Sequence, residues 1–78
     1  MIVDVITPDK TLFSGDLDLV RVPGIDGSFE VLNHHAPLVS ILVKGVVTLI
    51  DSHKKSQEIE INGGVIEVNN NTVKILAE

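Results

Sequence analysis

Glu58-Ile59-Glu60-Ile61-Asn62 alternates polar and apolar side chains without a break, so an extended backbone turns both isoleucines to one side and the polar groups to the other. Downstream, Val73 and Ile75 repeat the pattern against Thr72 and Lys74; near the start, Val3 and Val5 share a face opposite Ile2, Asp4 and Ile6. Turn-forming residues recur between such stretches: Pro8-Asp9, Ser14-Gly15, Pro23-Gly24, Asp26-Gly27, Asn33, Gly45, Ser52 to Ser56, Gly63-Gly64 and Asn69-Asn70-Asn71. The three asparagines read as a hairpin turn between Val68 and Val73. Apolar residues nowhere recur at i, i+3, i+4 and i+7 over a usable length, so no substantial helix is expected. The pattern predicts an all-β chain, a flattened sandwich or barrel of short strands, with residues 1–78 forming one domain.

The chain is 44% hydrophobic yet holds only two Phe and no Trp or Tyr, so Val, Ile and Leu must fill the core, and branching at Cβ suits strands. A domain of 78 residues buries only about 60% of the surface its unfolded chain exposes, and with no cysteine no disulfide can reinforce it. Support from a partner protein fits that balance.

Two stretches break the simple alternation. From Asp16 to Val22 the apolar phase slips, with Leu17 and Leu19 on one parity and Val20 and Val22 on the other, which calls for a bulge or a crossing between sheets and a bend near Leu19. From Leu38 to Ile50 both parities are apolar: Leu38 and Leu42 oppose Val39, Ile41 and Val43, and Val46 and Ile50 oppose Val47 and Leu49. Strands of this kind are covered on both faces, whereas a two-layer sandwich supplies one core. The second cover is either another chain, seated on a surface around Leu38, Ser40 and Leu42, or the chain's own segment 24–34.

Charge excludes several functions. The net charge is −5, and the six basic residues are scattered at 10, 21, 44, 54, 55 and 74, so there is no basic stripe for nucleic acid and no polybasic patch for anionic lipid. The apolar runs are far below the roughly 18 residues of a membrane span, and Asp4 with Pro8-Asp9-Lys10 interrupts any signal-like run, so no direct lipid insertion is expected.

Catalytic and cofactor chemistry find little support. His34 and His35 are adjacent, and neighbours on an extended chain point apart, so they do not converge on a metal; one exposed histidine and one bonded to the loop stiffened by Pro37 is the simpler arrangement. Ser14, Ser28, Ser40, Ser52 and Ser56 lie in no nucleophile motif, and Gly24, Gly27, Gly63 and Gly64 form no phosphate loop. No enzyme activity and no cofactor is expected. A rival reading is a carrier or adaptor module of the lipoyl or biotinyl kind, with a modified lysine in the turn His53-Lys54-Lys55-Ser56; the residues flanking lysine in those carriers are not found here.

Six ordered segments point elsewhere. Thr7-Pro8-Asp9-Lys10-Thr11-Leu12-Phe13-Ser14-Gly15, Val22-Pro23-Gly24-Ile25-Asp26-Gly27-Ser28-Phe29 and His35-Ala36-Pro37-Leu38-Val39 resemble the first half of F-type ATP synthase epsilon subunits. Lys44-Gly45-Val46-Val47, Asn62-Gly63-Gly64-Val65-Ile66-Glu67-Val68 and Val73-Lys74-Ile75-Leu76-Ala77-Glu78 continue the resemblance in the same order, over essentially the whole chain. It implies a flattened sandwich of about ten strands at the foot of the central stalk, packed on the gamma subunit, resting on the c-ring, and reaching the alpha/beta catalytic hexamer indirectly. Such a subunit turns with the rotor and couples proton flow to ATP synthesis without catalysing it, on the cytoplasmic face of the bacterial inner membrane. Matched by position, Thr7, His35 and Ser40 fall where the family faces gamma, joined by Leu38 and Leu42 from the doubly apolar stretch, and Asp26, Gly27 and Ser28 fall in the loop facing the c-ring. Longer members continue past the Leu-Ala-Glu stretch into two helices, so a chain ending at Glu78 is expected to act without them.

Overall fold

The alternating aliphatic residues form seven strands in the computed structural model, which describes every residue from Met1 to Glu78: β1 (Ile2–Ile6), β2 (Thr11–Asp16), β3 (Leu19–Gly24), β4 (Gly27–Leu32), β5 (Leu38–Ile50), β6 (Ser56–Asn69) and β7 (Thr72–Ala77). They make one hydrogen-bonded sheet in the order β2-β1-β7-β6-β5-β3-β4, with β1 and β7 parallel and all other pairs antiparallel. The outer strands β2 and β4 do not pair, so the sheet does not close into a barrel.

Two glycine sites fold this sheet on itself. In β5 the buried residues change parity, from Leu42 to Val47 and Leu49; in β6 they change likewise, from Ile61 to Ile66 and Val68. The register between the two strands does not slip, running from Leu38 opposite Val68 to Ile50 opposite Ser56. Both strands therefore exchange their inward face at the same level, where Gly45 faces the break in β5 and Gly63-Gly64 that in β6. Gly63 and Gly64 have φ of 142° and 149°, conformations that side chains other than glycine rarely adopt. A Cβ on Gly64 would lie 2.2 Å from the Leu76 carbonyl oxygen, so the close approach of β7 also demands its absence.

The fold line divides the sheet into two layers. The first half of β5 and the second half of β6 continue into β7, β1 and β2; the second half of β5 continues into β3 and β4. The shortest molecular axis, 19 Å, accommodates two sheets about 10 Å apart. Between them lies a core of sixteen buried residues, all aliphatic apart from Met1, with no buried polar side chain. Phe13 and Phe29 only flank it.

The strand count differs from the ten that the resemblance implied. β5 and β6, at 13 and 14 residues, each serve both layers without losing register, so each remains one strand where separate pieces were expected. The phase slip after Asp16 is a crossing, and the expected bend within a strand at Leu19 is a strand boundary. The Leu17 amide donates to the Met1 carbonyl in one layer, and the next amide, of Asp18, donates to the Ile50 carbonyl in the other, at 2.9 Å each. The hairpin at the three asparagines forms as read: Val68 pairs with Val73 around Asn70 and Asn71, both left-handed at φ 51° and 57°, as a two-residue type I′ turn requires.

Candidate docking surface

Register across the first layer assembles a surface that no single strand encodes. Ile6 of β1 lies opposite Leu76 of β7, Leu76 opposite Val65 of β6, and Val65 opposite Ile41 of β5. Opposed residues share a face, and their chain neighbours Val5, Ile75, Ile66 and Leu42 are buried, so the row points outward. Leu76 is 49% exposed, Val65 36% and Ile41 57%. Ile25 prolongs the row, its amide donating to the Ile41 carbonyl at 2.9 Å and its side chain exposed. Along β5, Val39 and Val43 flank Ile41, Val39 being the most exposed large apolar residue at 71%. Isolated exposed aliphatics are ordinary on any protein, but a continuous row crossing four strands, about 15 Å at the usual strand spacing, marks a contact surface.

The surroundings sharpen the contrast. One step along the strands the same face carries Asp4 opposite Lys74 and Lys74 opposite Glu67, a solvated row of alternating charge. The outer face of the second layer sets Glu30, Arg21, Thr48 and Glu58 in one register line, with Arg21 ion-paired to Glu30. Beside Ile6 and Leu76 the apolar row opens into a cleft of about 400 Å³, lined also by Thr7, Pro8 and Glu78.

Several residues named from the sequence stand differently in three dimensions. Leu42 is 3% exposed and belongs to the core; Leu38 packs against that core, and Ser40 is half-buried opposite the fully buried Ile66. These three share the inward parity, so the outward set in β5 is Val39, Ile41 and Val43, the reverse of the surface expected around Leu38, Ser40 and Leu42. Both parities are apolar, so composition could not choose between them; the fold line at Gly45 and Gly63-Gly64 does. Thr7 is half-buried at the cleft and organises its own turn, its hydroxyl accepting from the amides of Asp9 and Lys10 and donating to the Lys10 carbonyl.

His35 is half-buried with Nδ1 2.7 Å from the Ala36 carbonyl, while His34 is exposed at φ 64° with its amide donating to Asn71 Oδ1 at 2.7 Å. Asp26, Gly27 and Ser28 are exposed at the turn joining β3 to β4. Lys54 and Lys55 lie in the loop joining β5 to β6, where the Asp51 carboxylate accepts from the amides of His53 and Lys55 at 2.8 and 3.0 Å. The Lys55 amide, aided by that of His53, holds the Asp51 carboxyl below its ordinary value. Val65, Leu76 and Ile25 escaped the sequence reading. Leu76 had one signal there, lying off the parity of Val73 and Ile75; Val65 opposes Ile66 and Val68 but keeps the parity of Ile59 and Ile61, so alternation did not single it out.

The chain is a two-layer β-sandwich whose distinctive surface is an exposed apolar row beside a polar one. Residues 1–78 match the family described as the beta-sandwich domain of the ATP synthase Delta/Epsilon chain, and the chain belongs to that family. Relatives named ATP synthase epsilon chain include those of Chlorobium limicola, 41% identical over 96% of this chain and 85% of its own length, and Leptospira borgpetersenii, 46% identical over 97% of this chain. The chain spans 59% of the Leptospira relative and 55% of one from Rhodopseudomonas palustris, 41% identical. The fold recurs in a chain of the Euglena gracilis mitochondrial ATP synthase, with TM-score 0.93 at 22% identity over 99% of this chain and 49% of that one. It recurs again in the central stalk/c-ring structure of Tetrahymena thermophila, with TM-score 0.82 at 20% identity over 97% of this chain and 61% of that one.

Proposed function

We propose that the chain is a non-catalytic coupling subunit in the central stalk of a rotary F-type ATP synthase. It docks on the gamma subunit and the c-ring, meets the alpha/beta hexamer only through gamma, and helps couple proton translocation to ATP synthesis. Its place is peripheral, in the F1 sector on the cytoplasmic face of a bacterial inner membrane. The observation that carries the docking role is the row Ile6-Leu76-Val65-Ile41, which leaves large aliphatic side chains in water on a domain this small. Membership of the ATP synthase Delta/Epsilon family supports the reading that the partner is another subunit of that complex.

In this reading the gamma-facing surface centres on Val39, Ile41, Val65 and Leu76. Thr7 stands at its cleft and His35 precedes β5; Leu38, Ser40 and Leu42 support it from beneath. The exposed turn at Asp26, Gly27 and Ser28 adjoins the row through Ile25, which suits a second contact with the polar loops of the c-ring. The lysine-carrier reading has no comparable support, since Lys54 and Lys55 lie in a loop that Asp51 organises locally.

Co-purification with tagged gamma tests the proposal. Burying one aliphatic side chain contributes about 1.5–3 kcal/mol, so Ile41→Asp with Leu76→Asp should weaken gamma binding by more than about a hundredfold. The double variant should keep the β-rich circular dichroism of the isolated domain, because both side chains already face water. Undiminished gamma binding by a folded double variant would remove the proposed surface.

A further inference from the structure

One edge of the second layer has no ladder. β6 pairs with β7 only from Gly64 to Asn69, so from Ser56 to Ile61 it has β5 on one side and no strand on the other. The surroundings fix which way its backbone groups point. The Ile50 carbonyl accepts from the Asp18 amide, away from β6, and the Asn62 amide donates to the Glu78 carbonyl, away from β5. Hydrogen-bonding groups alternate in direction along an antiparallel strand, so Gln57, Ile59 and Ile61 face β5, and the amides and carbonyls of Glu58 and Glu60 face the open side. Ile59 and Phe13 pack against the core yet are only half-buried here, and a cleft of about 450 Å³ separates this edge from β2, lined by Phe13, Gly15, Leu49 and Gln57. Exposed edges are commonly blunted by proline, lysine or a bulge, and Ser56 to Ile61 has none of these.

We propose that this edge takes up an extended segment of a partner protein as an added strand, and that the segment alternates lysine or arginine with aliphatic residues. Strand addition draws affinity from main-chain hydrogen bonds and specificity from alternate side chains. The inward aliphatics of the segment enter the cleft against Phe13 and Leu49 and complete the cover of Ile59. Its outward cations meet Glu58 and Glu60, which are exposed, lie opposite Thr48 and Val46 of β5, and have no ion-pair partner. Opposite charges facing each other across a ladder stabilise it, and like charges destabilise it. The same glutamates therefore disfavour a second copy of this chain, since antiparallel self-pairing about Ile59 sets Glu58 against Glu60. The edge belongs to the second layer, apart from the row around Ile41, so the inference does not depend on the gamma-facing reading.

Fluorescence anisotropy of a short labelled peptide that alternates lysine with valine, titrated with the purified chain, tests this. Two controls accompany it: the same peptide with glutamate in place of lysine, and the lysine peptide with its backbone amides N-methylated, which cannot donate to a ladder. The lysine peptide should bind, each control should bind at least about tenfold more weakly, and the amides of Glu58 and Glu60 should gain protection from hydrogen exchange in the complex. Glu58→Lys with Glu60→Lys, both at exposed positions, should reverse the preference in favour of the glutamate peptide. No binding of the lysine peptide, equal binding of its N-methylated form, or unchanged exchange at Glu58 and Glu60 would overturn the proposal. So would a folded double variant that still prefers lysine.

Discussion

Leu42 and Ile41 are adjacent in β5, similar in size and indistinguishable by composition, yet the fold assigns them opposite roles, and truncating each in turn measures the difference. Leu42 is 3% exposed, and its register partners on either side are Gly64 in β6 and Gly24 in β3. Neither glycine has a side chain that could fill the space left by Leu42→Ala, so the loss should lie toward the upper part of the usual range of about 2–5 kcal/mol. A domain of this length has a total stability of about 4–12 kcal/mol. The substitution thus removes a large fraction of it, and at about 4–8 °C per kcal/mol the melting temperature should fall by more than about 10 °C.

Ile41→Thr keeps the branch at Cβ and so the strand preference, and removes only atoms that already meet water; its change should stay within about 0.5 kcal/mol. With no Trp or Tyr for fluorescence, far-ultraviolet circular dichroism of the isolated domain is the suitable assay. Gamma binding should show the reverse order: weakened by Ile41→Thr in a fully folded domain, and weakened by Leu42→Ala only as far as unfolding accounts for it. Equal thermal shifts, or a larger shift for Ile41→Thr, would mean that the inward parity of β5 has been assigned the wrong way round.

Two further outcomes follow from local geometry. Gly64→Ala places a Cβ against the Leu76 carbonyl in a backbone conformation that alanine resists, so the purified variant should show a broad, low-temperature transition or none; a native melting curve would contradict the fold line. At Asp51 the folded carboxyl titrates below its unfolded value because it accepts from the Lys55 and His53 amides. A group depressed in this way stabilises the fold above its unfolded pKa, and that contribution disappears as pH falls through the folded pKa. Protection of the amides in the loop 51–55, taken as the slowing of exchange relative to an unstructured peptide at the same pH, should therefore fall on acidification into the range below pH 4, and Asp51→Asn should abolish the dependence; an identical pH profile in the variant would refute the assignment.

Much of the architecture was legible because it is written at short range. Alternation at Val3 and Val5, Ile59 and Ile61, and Val73 and Ile75 identifies strands, and the asparagines at 70 and 71 suit the left-handed turn they make. The parity conflict between Leu17 and Val20 called for a bulge or a crossing between sheets, and the structure makes it a crossing. The candidate surface was legible only in part. The double apolar pattern of residues 38 to 43 called for a second cover, from another chain or from segment 24–34, but the members of the surface were named on the inward side of β5, and Val65 and Leu76 were not named because their relation to Ile41 is a matter of register between strands far apart in sequence.

The order of amino acids by itself determined that this chain must be built of strands and that residues 38 to 43 carry aliphatic side chains on both faces, because side-chain alternation is a property of neighbouring residues on an extended backbone. Only the tertiary structure decided which surface that is. The inward face of a strand depends on where the sheet folds, and the partner opposite Ile41 depends on pairing between β5, β6, β7 and β1. Both are set by burial summed over the whole core, a quantity that no local stretch of residues contains.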